Sequence, residues 1–210
     1  AEAPQEYGWY FWWGDTVGYT NSGSAWVSVA DGTTSIQFNE SDTTATNTCN
    51  KTIAELKSLG YIDDEANPVL NAAHDAATAK WGAPWRMPTT NDIQALANNC
   101  DSIWTNDWNG TGISGRLVTG RGAFASNSVF FPAGGYGKNS TATTSGGYCW
   151  SSAPSEANSA YAWDLYFNAD IFCKGGNYRY YGQPVRAVRD TASEAALAAP
   201  TISAKSAAGT

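Results

Sequence analysis

The chain has 210 residues, 42% of them hydrophobic, and a formal charge of −7, enough for one compact domain with a sizeable core. That acidic balance argues against nucleic acid as a partner, because reading phosphates needs clustered Lys and Arg, and against docking on an anionic membrane surface. No run of about 18 apolar residues is present, so no spanning helix and no membrane insertion are expected.

Residues 1–6 read as a short stub. The aromatic run Tyr7-Gly-Trp-Tyr-Phe-Trp-Trp13 predicts an early strand, and weak alternation over 26–38 predicts another. Residues 39–52 are polar and read as a loop. Asn67-Pro68 offers a cap and a first-turn proline. Val69, Ala72, Ala73, Ala76 and Ala77 then share a face at helical spacing, and Gly82 ends the helix. Trp85-Arg86-Met87 should be extended, because Pro88 disfavours a helical Met87. A second helix starts at Thr89, with Asp92 three residues on as a capping pair. Ile93, Leu96, Ala97 and Cys100 form its inner face.

From residue 101 the texture changes to Gly-rich loops and short strands. Val129–Phe131 reads as a strand ending at Pro132, and 134–147 as a flexible loop. Residues 160–168 alternate, which places Trp163, Leu165 and Phe167 toward the core and Asp164, Tyr166 and Asn168 outward. Residues 174–182 suit an exposed turn, and Val185–Arg189 a final strand. Residues 191–210 are rich in Ala, Ser and Thr without an aromatic, which suits a tail or linker. Two helices followed by short strands predict a mixed α+β domain.

Little in the chain names a chemistry. Cys49, Cys100, Cys149 and Cys173 allow three pairings. Free buried thiols and one or two disulfides both fit, and disulfides would suit an extracellular compartment. With no Cys-x-x-Cys and His74 as the only histidine, a zinc set would be unusual. His74 beside Asp75 reads as a surface helix residue, not a triad base. Asp63, Asp64 and Glu65 read as a solvated turn favouring a helix N-terminus. Their adjacency does not set two carboxyls across a glycosidase cleft. Gln183-Pro184 is followed by Val185, which offers no carboxylate, so a lectin-type calcium triplet is absent; the Asp and Asn loops leave calcium open elsewhere. No cofactor is expected.

The positive signal is ten Trp and eleven Tyr. Such side chains give large, stiff contact area with a polar handle. A surface of Asp164, Tyr166, Asn168, Asp170, Tyr178, Tyr180 and Tyr181 would suit a sugar or a protein. Trp85, Trp150, Trp163, Leu165 and Phe167 are expected in the core.

A series of short motifs falls in order: Trp13-Gly14-Asp15, Asp75-Ala76-Ala77, Trp85-Arg86-Met87-Pro88-Thr89, Cys100 with Trp104, Phe131-Pro132-Ala133-Gly134-Gly135-Tyr136, Tyr148-Cys149-Trp150-Ser151-Ser152, Ala162-Trp163-Asp164-Leu165-Tyr166-Phe167 and Val185-Arg186-Ala187-Val188-Arg189. Over about residues 8–190 this set resembles the Fibrobacter succinogenes major paralogous domain family. Gly134, Cys149 and Ala187 depart from the family pattern, and because of the last two no disulfide pairing is carried over. The resemblance implies a C-type lectin-like fold over residues 1–190: two helices, short, mostly antiparallel strands and long Gly/Asn/Ser-rich loops, followed by a tail at 191–210. Its implied role is display on a bacterial surface or a phage virion, and the chain is expected to act there as a non-catalytic, extracellular ligand-binding module for adhesion or receptor binding. The alternatives are a polysaccharide-acting hydrolase and a structural display module. Similar scaffolds serve as variable proteins of diversity-generating retroelements, and residues 155–181 have that composition. The candidate ligand-binding residues are Asn158, Tyr161, Asp164, Tyr166, Asn168, Asp170, Phe172, Asn177, Tyr178, Tyr180 and Tyr181. Ser159 and Cys173 share the same texture.

Overall fold

A computed structural model describes residues 3–42 and 48–190; the proposed tail at 191–210 lies outside them. The aromatic N-terminal run contributes only a two-residue strand, β1 (Tyr10–Phe11), followed by β2 (Tyr19–Asn21) and β3 (Trp26–Ser28). Helices α1 (Ile53–Ser58) and α2 (Ala76–Trp81), strand β4 (Trp85–Arg86) and helix α3 (Thr90–Asn99) come next. Strands β5 (Cys100–Thr105), β6 (Gly115–Gly120) and β7 (Ser128–Pro132) lead to the short hairpin β8 (Gly137–Lys138) and β9 (Thr141–Ala142). The longest strands then follow, β10 (Gly147–Pro154), β11 (Tyr161–Phe167) and β12 (Phe172–Tyr178), before β13 (Gln183–Pro184) and β14 (Val188–Arg189).

These strands form five small antiparallel sheets, ordered β13-β1-β2-β3, β10-β11-β12, β14-β4, β5-β6-β7 and β8-β9. The α+β, lectin-like expectation built on two helices is therefore overturned. Among the described residues the helices are short, at six, six and ten residues, and the architecture is β-rich. Alanines at helical spacing suggested a long helix from Asn67, but tertiary pairing wins there. Leu70 N–H donates to the Ser152 carbonyl at 2.9 Å and Leu70 bridges Ile62, which holds that stretch off the helix. Helix α2 starts only after Asp75, whose carboxylate accepts from the Ala77, Thr78 and Met87 amides. Helix α3 begins as predicted, with a capping box between Thr89 and Asp92. Helix α1, capped by Thr52 and Glu55, was not expected.

The sheet β10-β11-β12 is packed on both faces. One face sets Cys149, Leu165 and Phe167 against Ile93 of α3, Val118 and Phe131. The other sets Trp150 and Ala162 against Phe11, Trp13, Leu56 and Met87. A strand covered on both sides does not show simple in-out alternation. The expectation that Asp164 faces outward is thus wrong: its side chain is 1% exposed. A third cluster, of Tyr10, Trp12, Tyr19, Trp26 and Phe38, packs largely edge-to-face under β1–β3. Trp85 is 39% exposed rather than core, and Trp163 is half-buried beneath the Lys174 ammonium at 4.2 Å.

The predicted turn at 174–182 is instead mostly strand β12, paired along its whole length with β11. Gly175 and Gly176 weaken strand propensity, but Gly175 opposes Asp164, whose Oδ1 would lie 2.5 Å from a Cβ there. The glycine is what lets the two strands close over that carboxyl. Gly147 is similarly constrained, because a Cβ would strike the Phe167 ring. Gly147→Ala should therefore lower the unfolding free energy by about 1–3 kcal/mol through overpacking; a urea midpoint equal to wild type would contradict this packing.

Candidate functional site

The central sheet and its flanking turns bring seven tyrosines into one unbroken chain of ring contacts. Tyr148 and Tyr166 are register partners on β10 and β11, with centroids 4.9 Å apart. Tyr136, in the loop before β8, touches Tyr148 at 4.9 Å and Tyr181 at 4.8 Å. Tyr181 meets Tyr180 at 4.9 Å and Tyr178 at 5.6 Å, and Tyr178 stacks on Tyr180 at 4.8 Å. Tyr161, the register partner of Tyr178, completes the chain at 4.5 Å. Tyr181 is buried and the other six are half-buried. The Lys138 ammonium sits 5.7 Å from the Tyr181 ring.

Three phenols of the band, Tyr148, Tyr161 and Tyr180, are pushed above the ordinary tyrosine value. Burial and the neighbouring Tyr166 push the Tyr148 hydroxyl up to about 12. Burial raises Tyr180 as well, and the hydrogen bond with Tyr178 raises Tyr161. The band is an aromatic surface studded with hydroxyls.

Asp164 lies beside it, on the same face of the sheet as Tyr148 and Tyr166. Gln183 Nε2 donates to Asp164 Oδ2 at 2.8 Å. Burial raises the carboxyl to about 7, against the opposing pull of Gln183 and Asn177. Asp164 Oδ1 and Gln183 Oε1 are both buried without a hydrogen-bond partner.

The other predicted residues separate from the band. Asn168 organises the β11–β12 turn: its Oδ1 accepts from the Asp170 and Ile171 amides, each at 2.8 Å, and its Nδ2 donates to the Tyr166 hydroxyl. Arg116 clamps the same turn, donating to the Asn168 carbonyl at 2.9 Å and the Ala169 carbonyl at 2.8 Å. Asn168 and Asp170 line an open cleft of about 430 Å³, walled by Tyr7, Trp104 and Ser114. Phe172 packs against Phe131 and Phe167. Asn158 is exposed in the β10–β11 connection, and its Oδ1 accepts from the Ala160 amide at 3.0 Å. Of the eleven candidates, the band holds Tyr161, Tyr166, Tyr178, Tyr180 and Tyr181, with Asp164 and Asn177 next to it. Tyr136, Tyr148 and Gln183 were missed. Tyr148 and Tyr136 stand in motifs noted in the sequence, but nothing in their spacing shows that their rings meet.

The groups weighed for other chemistry have structural partners. His74 stacks on Tyr61 at 4.0 Å, and its Nδ1 lies 3.2 Å from the Gly14 carbonyl oxygen. Asp63 and Asp64 accept from Asn71 and from the Ala66 amide within exposed turns. All four cysteines are free thiols. Among the described residues no three His, Cys, Asp or Glu side chains are grouped to hold a metal ion.

No protein-family model matches the chain, and it matches no curated protein and no solved structure.

Burial holds the Cys149 thiol at about 12 and the Cys49 thiol at about 11, so neither carries appreciable thiolate at pH 8. Iodoacetamide at pH 8 should leave both unmodified in the folded chain and label both in denaturant. Rapid native labelling of Cys149, read by peptide mass, would contradict this.

Proposed function

We propose that this chain is a non-catalytic ligand-binding domain of adhesin or receptor-binding type, whose protein or glycan ligand docks on the tyrosine band. The observation that carries the reading is the unbroken run of seven phenol rings, of which six are partly open to solvent. Tyrosine has few rotatable bonds, so ordering it on binding costs little entropy, while its ring and hydroxyl supply apolar and polar contact together. Mutual stacking holds the rings in place before a ligand arrives, which further lowers that cost.

Other features support the same reading. Asp164, the acid at the centre of the candidate surface, is sealed in the core, where it cannot reach a polysaccharide. The motif resemblance to the Fibrobacter-type major paralogous domain supports an extracellular setting, on a bacterial surface or a phage virion. Diversification of the retroelement type would fall on the open positions Asn158, Tyr161, Tyr166, Tyr178 and Tyr180. Asp164, Asn168 and Phe172 carry packing or turn hydrogen bonds and tolerate little change.

The test is a screen of the domain against glycan arrays and cell-surface proteins, repeated with Tyr148→Ala/Tyr166→Ala and with Trp81→Ala. The band variant should lose at least tenfold in affinity, about 1.4 kcal/mol, while still melting cooperatively; Trp81→Ala should bind as wild type. Binding untouched by the double substitution would remove the band as the site. Failure of the intact domain to bind any probe would favour the display-module reading.

A further inference from the structure

The pair Asp164–Gln183 presents an accounting problem that the ligand-binding reading does not use. The two side chains are 1% and 0% exposed and joined by one hydrogen bond, Gln183 Nε2 to Asp164 Oδ2 at 2.8 Å. Each also keeps one buried oxygen that accepts no well-formed hydrogen bond, Asp164 Oδ1 and Gln183 Oε1, although the Asn177 side chain lies close enough to Asp164 to act on it as a donor. Both are acceptors, so an ionised pair leaves two lone-pair groups buried and unmatched, an arrangement folded proteins rarely keep. No lysine or arginine forms an ion pair with Asp164 among the described residues.

We propose that Asp164 is carried in the fold as the neutral acid, its proton on Oδ1 donated to Gln183 Oε1, so that the two side chains form a two-point carboxyl–carboxamide clasp. One proton then repairs both defects: it converts the first orphan acceptor into a donor and gives the second its partner. The clasp joins β11 of the central sheet to β13, the strand that pairs with β1 and is separated from Tyr180 and Tyr181 by Gly182 alone. It is a proton-dependent fastening between the central sheet and the segment bearing one end of the tyrosine band. The inference is independent of any ligand.

The surroundings agree. Gly175 is the register partner of Asp164, and a Cβ there would crowd Oδ1; the glycine leaves room for the carboxyl without supplying a donor. The titratable neighbours are Tyr148 and Cys149 on β10, Tyr166 on β11 and Cys173 on β12. The carboxylate's field raises Tyr148, Cys149 and Cys173, though burial is the larger cause for each. None of these neighbours brings a positive charge, and Arg186, whose charge reaches Cys149, is not among the influences on Asp164. Asn177 favours the ionised form, as does the existing Gln183 bond, but burial outweighs both and leaves the group near 7.

The sign follows from linkage. The ordinary carboxyl value is 3.8 and the folded value is about 7, so between these the folded chain holds a proton that the unfolded chain releases. Stability from this group is full below pH 4, falls as pH rises and is gone above about 7.

The test compares wild type with Asp164→Asn, whose amide can donate to Gln183 Oε1 without a titrating proton. Urea unfolding at pH 4.5 to 8.5 should show wild type losing stability relative to Asp164→Asn as pH rises, with a limiting slope of one proton. Difference infrared spectra of the folded wild type should show a protonated-carboxyl stretch at pH 5 that vanishes by pH 8.5 and is missing from Asp164→Asn. Spectra of 13C-tyrosine-labelled protein should show the Tyr148 and Tyr181 resonances moving with the same midpoint. Parallel stability profiles for the two proteins, or a protonated-carboxyl stretch at pH 5 of equal intensity in wild type and Asp164→Asn, would overturn the proposal. If Asp164→Asn fails to fold, the wild-type Tyr148 and Tyr181 resonances still decide, because Tyr148 is coupled to Asp164 whereas Asp15, another acid that burial raises, is bonded to Tyr19.

Discussion

The structure depends on the way the two ends of the chain are fastened together. Strand β1 pairs with β13, setting Tyr10 against Pro184 and Phe11 against Gln183. Two indoles lock that junction to the central sheet: Trp150 Nε1 donates to the Phe11 carbonyl and Trp13 Nε1 to the Ser151 carbonyl, each at 2.9 Å. Arg179 lies fully buried beside them, its guanidinium 4.9 Å from the Trp13 ring. It donates to the carbonyls of Tyr161, Thr48 and Lys51. Burial lowers the Arg179 pKa to about 10, still high enough to keep it charged at neutral pH. A buried cation is tolerable only when hydrogen bonds replace its water; here backbone carbonyls from distant parts of the chain do so at Nε and Nη1, while Nη2 is buried without a partner. Because Arg179 sits between Tyr178 and Tyr180, that fastening also fixes one end of the tyrosine band.

The sheets β13-β1-β2-β3, β14-β4 and β8-β9 give little stability singly, since their strands of two or three residues are marginal without packing. The core holds them together. Trp12, Trp13, Trp26 and Trp150 are all fully buried, and each buried aromatic removes a large apolar area from water. The two packed faces of β10-β11-β12 leave the tyrosines at its margin on a rigid base. Rigidity there suits a binding surface, because contact residues held by the scaffold lose less entropy when a ligand docks.

How much of this was legible in the sequence follows from how local each signal was. The α3 start at Thr89, the Gly82 helix stop and the β7 and β11 strands rest on neighbours in the chain, and these were read correctly. The α2 start was misread because the alanine periodicity around residue 72 competes with the Leu70–Ser152 and Ile62–Leu70 pairings, which are long-range or depend on the fold. The fold class failed for the same reason, as many two-residue strands are defined by partners more than 100 residues away. Alternation in β11 was real, but a strand buried on both faces makes it ambiguous, and Asp164 was placed on the wrong side of that choice. Composition located five of the seven band tyrosines. It missed Tyr136 and Tyr148, which belong to the band only because loop and register bring them there, and it drew in Asn168 and Phe172, which serve a turn and the core.

The central claim is that the tyrosine band is the surface this chain offers to its ligand. The most direct measurement is a crystal structure of the domain with the first glycan or protein that binds it in a screen. The account predicts ligand atoms on Tyr136, Tyr148 and Tyr166, with the ring positions unchanged from the free protein. A ligand seated instead in the cleft of Trp104 and Asp170, or at the exposed Trp81–Trp85 corner, with the band still open to solvent, would contradict it.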